Sequence, residues 1–303
     1  MTEHSAVAPD ALWPLVQRTT HEALASGALQ SITTHTRILE DAGIPFRVRL
    51  VDSLARKAKA QEKPRDRAQK QIENPFLPYE EALFVANLSS THACLLNKFN
   101  VVDHHLLMIT RDYVSQQTWL TLEDFVALAR CLHEIEGLGF YNSGPAAGAS
   151  QHHKHLQLIP LPQDERARNL PITTAIPEGF AAISEPQSLP TLPFQHRWQS
   201  LTTAWLPDYD RIGTELLQTY RGLLTDLGIN LAEPTPTQPY NLLVTRDWMM
   251  VVGRSQPSYE NIGVNSLGYA GCLLVKTPAE FEQLTQIGPL NLLTEVGLPS
   301  TEN

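Results

Sequence analysis

Residues 152–160 read His-His-Lys-His-Leu-Gln-Leu-Ile-Pro, and this alternation restricts the chain more than any other stretch. Successive side chains of a strand point to opposite faces. His153, His155 and Gln157 therefore share one face, and His152, Lys154, Leu156 and Leu158 share the other. Two imidazoles and an amide in a row are costly to bury as core filler. The pattern predicts a strand with one side in a core and the other turned to a polar site. Immediately upstream, residues 142–151 read Asn-Ser-Gly-Pro-Ala-Ala-Gly-Ala-Ser-Gln. Gly144, Gly148 and the small residues around them let the backbone approach a ligand, and successive N–H groups in such a turn form an anion nest.

The remaining pattern is α+β. An amphipathic helix is expected from about residue 10 to 26, closed by Gly27, and a half-buried strand over 44–51. Residues 82–88, 91–99 and 106–110 read as short strands separated by Asn, Ser and Asp turns. Thr121 and Asp124 have capping-box spacing ahead of a helical stripe that ends at Gly137. Residues 139–143 continue as strand. Seven prolines over 160–193 exclude long elements and mark a connector. Beyond it come a helix over 210–227, strands over 240–245, 248–252 and 272–276, and a helix opened by Pro278. Turns suited to antiparallel hairpins, with no βαβ rhythm and no G-x-G-x-x-G, exclude a doubly wound parallel sheet.

Composition narrows the classes. With 23 basic and 32 acidic residues the net charge is −9, which disfavours general nucleic-acid binding. No run of about 18 apolar residues suggests a membrane helix, and residues 1–10 lack a signal-peptide pattern. Cys94, Cys131 and Cys272 are odd in number and far apart, so a reduced, cytoplasmic protein is expected. Seven of the 23 basic residues crowd into residues 55–71. That window reads as a solvated loop or helix, or as a flap over a polyanion.

Three chemistries fit the histidine strand. It is an exposed polar edge, a zinc-binding pair lacking a third ligand, or a nucleophilic imidazole that attacks phosphorus. Only the last uses the anion-friendly loop beside it. Here the residues become familiar. Asn-Ser-Gly, a Gly/Ser loop and His-x-His-x-Gln resemble the histidine-triad superfamily, in its ATP adenylyltransferase (diadenosine tetraphosphate phosphorylase) branch. Residues 74–76 (Asn-Pro-Phe), 95–105 (around Asn97-Lys98-Phe99), 193–196, 240–243 and 265–271 are similar to family segments, in family order. The likeness spans about residues 46–276.

The resemblance implies a histidine-triad-like, mainly antiparallel sheet flanked by helices, with a C-terminal α/β part completing the site. It divides the chain into a catalytic domain (1–165), the connector (166–192) and an adenylyltransferase domain (193–303). It implies His155 as nucleophile and Gln157 as a phosphate ligand. Asn142, Gly148, Ala149, Ser150, Gln151 and His153 fall where nucleotide and phosphate bind, and Asn97 and Lys98 match a substrate-contacting pair. Asn265, Ser266, Leu267, Cys272 and Lys276 match the C-terminal contribution. Lys57, with Lys59 as rival, matches an N-terminal substrate lysine. His104 and His105, beside Asp103, have the residue types of metal ligands but read first as a turn with satisfied rings. The implied reaction converts diadenosine tetraphosphate and phosphate to ATP and ADP through an adenylyl-histidine. The expected ligands are nucleotides and phosphate, with a divalent cation, Mg²⁺ on charge grounds, carried by the polyphosphate. No protein metal cage, nucleic acid or membrane is expected. A dinucleotide hydrolase and a non-catalytic nucleotide sensor are the alternatives.

Overall fold

The computed structural model describes residues 5–52, 74–162, 170–180 and 183–300. The basic window with Lys57 and Lys59 falls outside them. Helix α1 (Leu12–Ser26) buries Leu12, Val16 and Ala23 and ends at Gly27 in the left-handed region (φ +75°). Strands β1 (Thr34–Asp41) and β2 (Ile44–Val51) form a hairpin. Strands β3 (Phe84–Asn87), β4 (His92–Leu96) and β5 (Leu106–Thr110) follow as an antiparallel meander. Helix α2 (Leu122–Glu134) starts at the Thr121 capping box. It leads into β6 (Gly137–Asn142) and then β7 (His155–Pro160).

The second half supplies β8 (His196–Ser200), α3 (Tyr209–Asp226), β9 (Tyr240–Val244) and β10 (Trp248–Gly253). After a short hairpin (258–263) come α4 (Ser266–Tyr269), β11 (Cys272–Val275), α5 (Pro278–Ile287) and α6 (Pro289–Val296). Eight strands join in the order β3-β4-β5-β7-β6-β9-β10-β8, antiparallel throughout. This one sheet crosses from the N-terminal to the C-terminal half between β6 and β9. Helices α1, α2 and α3 cover one face around Phe125, Leu128, Leu156, Leu158 and Tyr220. The other face carries a second core of Phe140, Leu243, Met250, Tyr269 and Leu293. The proline-rich connector is no free tether, since Leu170, Ile172, Leu189 and Leu192 are buried in that second core.

β1, β2 and β11 form a separate three-stranded sheet in which β11 runs parallel to β2. Strand β1 has no counterpart in the sequence reading: its residues are mostly exposed, so hydropathy gives it no period. No helix among the described residues is long and apolar enough to cross a membrane.

Candidate active site

The regular ladder of β7 begins at His155, opposite Ile109 of β5. Before that point the strand is held by residues 114–116: Lys154 N–H donates to the Val114 carbonyl, and Gln116 N–H to the His152 carbonyl. The alternation holds through the junction. The Phe76 ring lies 5.6 Å from the His153 ring and 5.3 Å from the His155 ring, so both imidazoles share that side of the strand. Lys154, Leu156 and Leu158 point into the helix-covered side.

The His155 ring is 4% exposed, and its Nδ1–H donates to the His153 carbonyl at 2.8 Å. That bond fixes the tautomer and leaves the Nε2 lone pair free for attack. Burial lowers its pKa to about 4, against the ordinary 6.5 expected from sequence. The ring is therefore a neutral base throughout the physiological range.

The His155 backbone is clamped by a residue with no sequence signal. β6 and β7 pair only as far as Phe140 and Gln157. In the gap beyond, the Gln116 Oε1 accepts from His155 N–H (2.8 Å). Its Nε2 donates to the carbonyls of Asn142 (2.8 Å) and His155 (3.3 Å).

His105 departs in part from the sequence reading. Its ring is satisfied, as expected, but it stands past the turn, immediately ahead of β5, and forms a relay: Asn97 Nδ2 donates to His105 Nδ1 (3.1 Å), and His105 Nε2–H donates to Gln157 Oε1 (3.0 Å). Burial lowers the His105 pKa to about 4, so the ring stays neutral and the chain of bonds keeps one direction. With Oε1 engaged, Gln157 presents its NH₂ group as donor. Asn97 thus aims Gln157 through His105. His104 does fit the turn reading: φ is +55°, and Nδ1 meets Thr20 Oγ1 at 3.0 Å.

His153 is fixed from both sides. Asn74 Nδ2 donates to its Nδ1 (2.9 Å), and its Nε2–H donates to the Thr110 carbonyl (2.8 Å). Its one lone pair is already taken, which disfavours the zinc-pair reading.

The loop before the strand is not the nest as first read. Its N–H groups at Ala147, Gly148 and Ala149 close a turn onto Gly144 and Pro145. The groups at Ser150 and Gln151 donate to no carbonyl of the described residues, and Ser150 is exposed. The open N–H groups of the loop therefore lie in its second half. Gly148 (φ +89°) is required here, because a Cβ would lie 2.5 Å from the Val264 carbonyl.

That close approach brings in the C-terminal half. Asn142 Oδ1 accepts from Ser266 N–H (2.9 Å), Ser266 Oγ (2.8 Å) and Asn241 Nδ2 (2.8 Å). Ser266 is fully buried and acts on Asn142. Asn265 caps α4 by accepting from Leu267 N–H, and Leu267 packs on the second core. Cys272 pairs with Arg47 in the three-stranded sheet, and exposed Lys276 donates its N–H to Glu280. Burial raises the Cys272 pKa, which suits packing and not nucleophilic attack. Lys98 Nζ is bound at 2.6 Å by Glu80, from the segment that carries Phe76 across the site.

Known proteins can now be set beside this geometry. Residues 2–178 match the Ap4A phosphorylase N-terminal domain, and residues 190–299 match the ATP adenylyltransferase C-terminal domain. The chain belongs to the Ap4A phosphorylase family. Protein APA1 of Saccharomyces cerevisiae is 30% identical over 308 residues, covering 92% of each chain. Diadenosine 5',5'''-P1,P4-tetraphosphate phosphorylase 2 of the same yeast is 30% identical over 260 residues, 76% of this chain and 77% of that one. The crystal structure of yeast Ap4A phosphorylase Apa2 superposes with a TM-score of 0.79 at 26% identity, over 97% of this chain and 100% of that one. The same enzyme in complex with Ap4A gives a TM-score of 0.77.

Proposed function

We propose that this protein is an Ap4A phosphorylase, a nucleotidyltransferase that converts diadenosine tetraphosphate and inorganic phosphate to ATP and ADP. The supporting observation is His155, held neutral in one tautomer with Nε2 free, beside a Gln157 amide aimed by His105. In the first half-reaction Nε2 attacks the α-phosphorus of one adenosine. The bond from that phosphorus to the bridging oxygen breaks, and ATP leaves. Its terminal phosphate has a pKa near 6 and departs without a strong acid. AMP stays on the ring as a phosphoramidate, whose positive charge is met by the His153 carbonyl on Nδ1. A phosphate oxygen then attacks the same phosphorus, the N–P bond breaks, and ADP forms.

Gln157 supports phosphate over water as acceptor. Its amide stabilises charge on a phosphoryl oxygen but cannot titrate, so nothing at that position deprotonates a water. The test is product analysis with and without inorganic phosphate. ATP and ADP appearing only with phosphate is expected. ATP and AMP, or two ADP, regardless of phosphate would mean a hydrolase. Nucleotide binding without turnover would mean a sensor.

Among the described residues no three His, Cys, Asp or Glu side chains are grouped closely enough to hold a metal ion. On charge grounds a Mg²⁺ carried by the polyphosphate would help to neutralise it. The odd number and wide spacing of Cys94, Cys131 and Cys272 support a reducing, cytoplasmic setting.

The Lys98–Glu80 pair bears on affinity. Lys98 can serve an incoming phosphate only by leaving Glu80. Glu80→Gln is expected to lower the KM for Ap4A by about twofold to fivefold, the scale of an exposed ion pair. Initial rates should show the effect vanishing in a Lys98→Met background. An equal effect in both backgrounds would mean general charge alone.

A further inference from the structure

Arg254 follows β10 and is 1% exposed. All five of its N–H groups are used. Nε donates to the Val296 carbonyl (3.0 Å), and Nη1 to Asn241 Oδ1 (2.5 Å) and the Ala147 carbonyl (3.1 Å). Nη2 donates to the carbonyls of Gln256 (2.8 Å) and Val264 (3.1 Å). Every acceptor is neutral. The remaining contact is the Tyr269 ring, 5.3 Å from Cζ. Among the described residues no carboxylate pairs with this guanidinium. Hydrogen bonds satisfy its donors, yet its charge is left without a counter-ion, which is costly in a buried place.

Its position suggests what that charge serves. Ala147 lies in the loop that precedes the histidine strand, and Val264 lies in the loop that carries Asn265 and Ser266. Arg254 ties these loops together, one from each family domain. The Ala147 carbonyl accepts from both Arg254 and Asn241 Nδ2 (2.9 Å). Turned inward, it keeps its oxygen away from the outer surface of the loop, where it would repel an anion.

We infer that Arg254 is the buried counter-charge of the polyphosphate site, a positioning residue that acts through the Ala147 and Val264 carbonyls and is balanced only when phosphate is bound. The inference rests on the proposed function for placing polyphosphate at this loop. The probe is inorganic phosphate. Wild-type protein, Arg254→Lys and Arg254→Gln are melted with and without it, and the KM for phosphate is measured. Phosphate should raise the wild-type Tm. Arg254→Lys keeps the charge and should keep most of that rise. Arg254→Gln should lose it, with KM for phosphate up about tenfold and kcat less affected. Tenfold is below the cost of removing a donor that touches the anion, about a hundredfold.

A rise retained by Arg254→Gln, or lost equally in both variants, would reduce Arg254 to a hydrogen-bonded tie and overturn the inference. So would a wild-type protein that phosphate does not stabilise. If neither Arg254 variant folds, Asn241→Asp decides, because it places a carboxylate on Nη1. It should abolish the phosphate-induced rise, and an undiminished rise would overturn the inference. A wild type that is stabilised by phosphate but does not turn over Ap4A would sink the proposed function and leave the Arg254 measurement standing.

Discussion

His155→Ala should reduce Ap4A phosphorolysis by at least about 10⁴-fold, the scale on which deleting a covalent nucleophile acts. The ring sits in a closed setting, with Nδ1–H donated to the His153 carbonyl, and the backbone N–H of His155 is held by Gln116 Oε1. Among the described residues no second imidazole on this face has a free lone pair, since Asn97 and Asn74 donate to those of His105 and His153. The variant therefore has no substitute nucleophile. Without phosphate, the wild type should release one ATP per site and retain labelled AMP, and the variant should do neither. The pH profile provides an independent check. Attack requires the neutral ring, and burial lowers its pKa from 6.5 to about 4. The acid limb of kcat/KM should therefore fall near pH 4, with no loss of base form between pH 8 and 5. A limb at 6.5 would mean that the ring is hydrated, or that another group attacks.

How much of this was legible in the sequence depended on whether a residue's partner was near it in the chain. Helix α1 with its Gly27 stop, the Thr121 capping box and the alternation through His155 could all be read locally. Strand β1 could not, because its exposed residues make no pattern that burial would impose. The Asn97–His105–Gln157 relay spans strands 52 residues apart at its key bond, and a glutamine at 116 resembles any other polar loop residue. The family likeness named Asn97 and Ser266 as substrate contacts. The structure gives each a bond to another side chain of the site, His105 and Asn142 respectively. Lys98 looked free to meet phosphate until Glu80, 18 residues upstream, was placed against it. Hydropathy registers neither pairing nor direction of donation, and those two properties define this site.

The other large effect is expected on the opposite side of the histidine strand. Lys154, between His153 and His155, turns its ammonium into the helix-covered core, where it is 2% exposed. There Nζ meets Asp124 Oδ2 at 3.0 Å and the Trp119 carbonyl at 2.7 Å. Asp124, 1% exposed, also accepts from His92 Nε2 (3.0 Å) and Thr121 N–H (2.7 Å). One carboxylate thus caps α2, holds β4 and pins the strand that carries His155. Burial raises the Asp124 pKa, but the His92 bond, the Lys154 charge and the Thr121 N–H together outweigh it, and the net pKa is lowered. A depressed carboxyl contributes stability above its unfolded pKa and loses that contribution as pH falls toward the folded value. Asp124→Asn removes the counter-charge and leaves a buried ammonium unpaired. Urea unfolding should show a loss of about 3–5 kcal/mol, the cost of breaking a buried pair from one side. In Asp124→Asn/Lys154→Met no charge remains to be paired, so much of that loss should return. If the double variant is as unstable as the single, the carboxylate matters through the α2 cap and the His92 bond, not through Lys154. If stability returns while kcat does not, the ion pair sets the position of His155 as well as the strength of the fold.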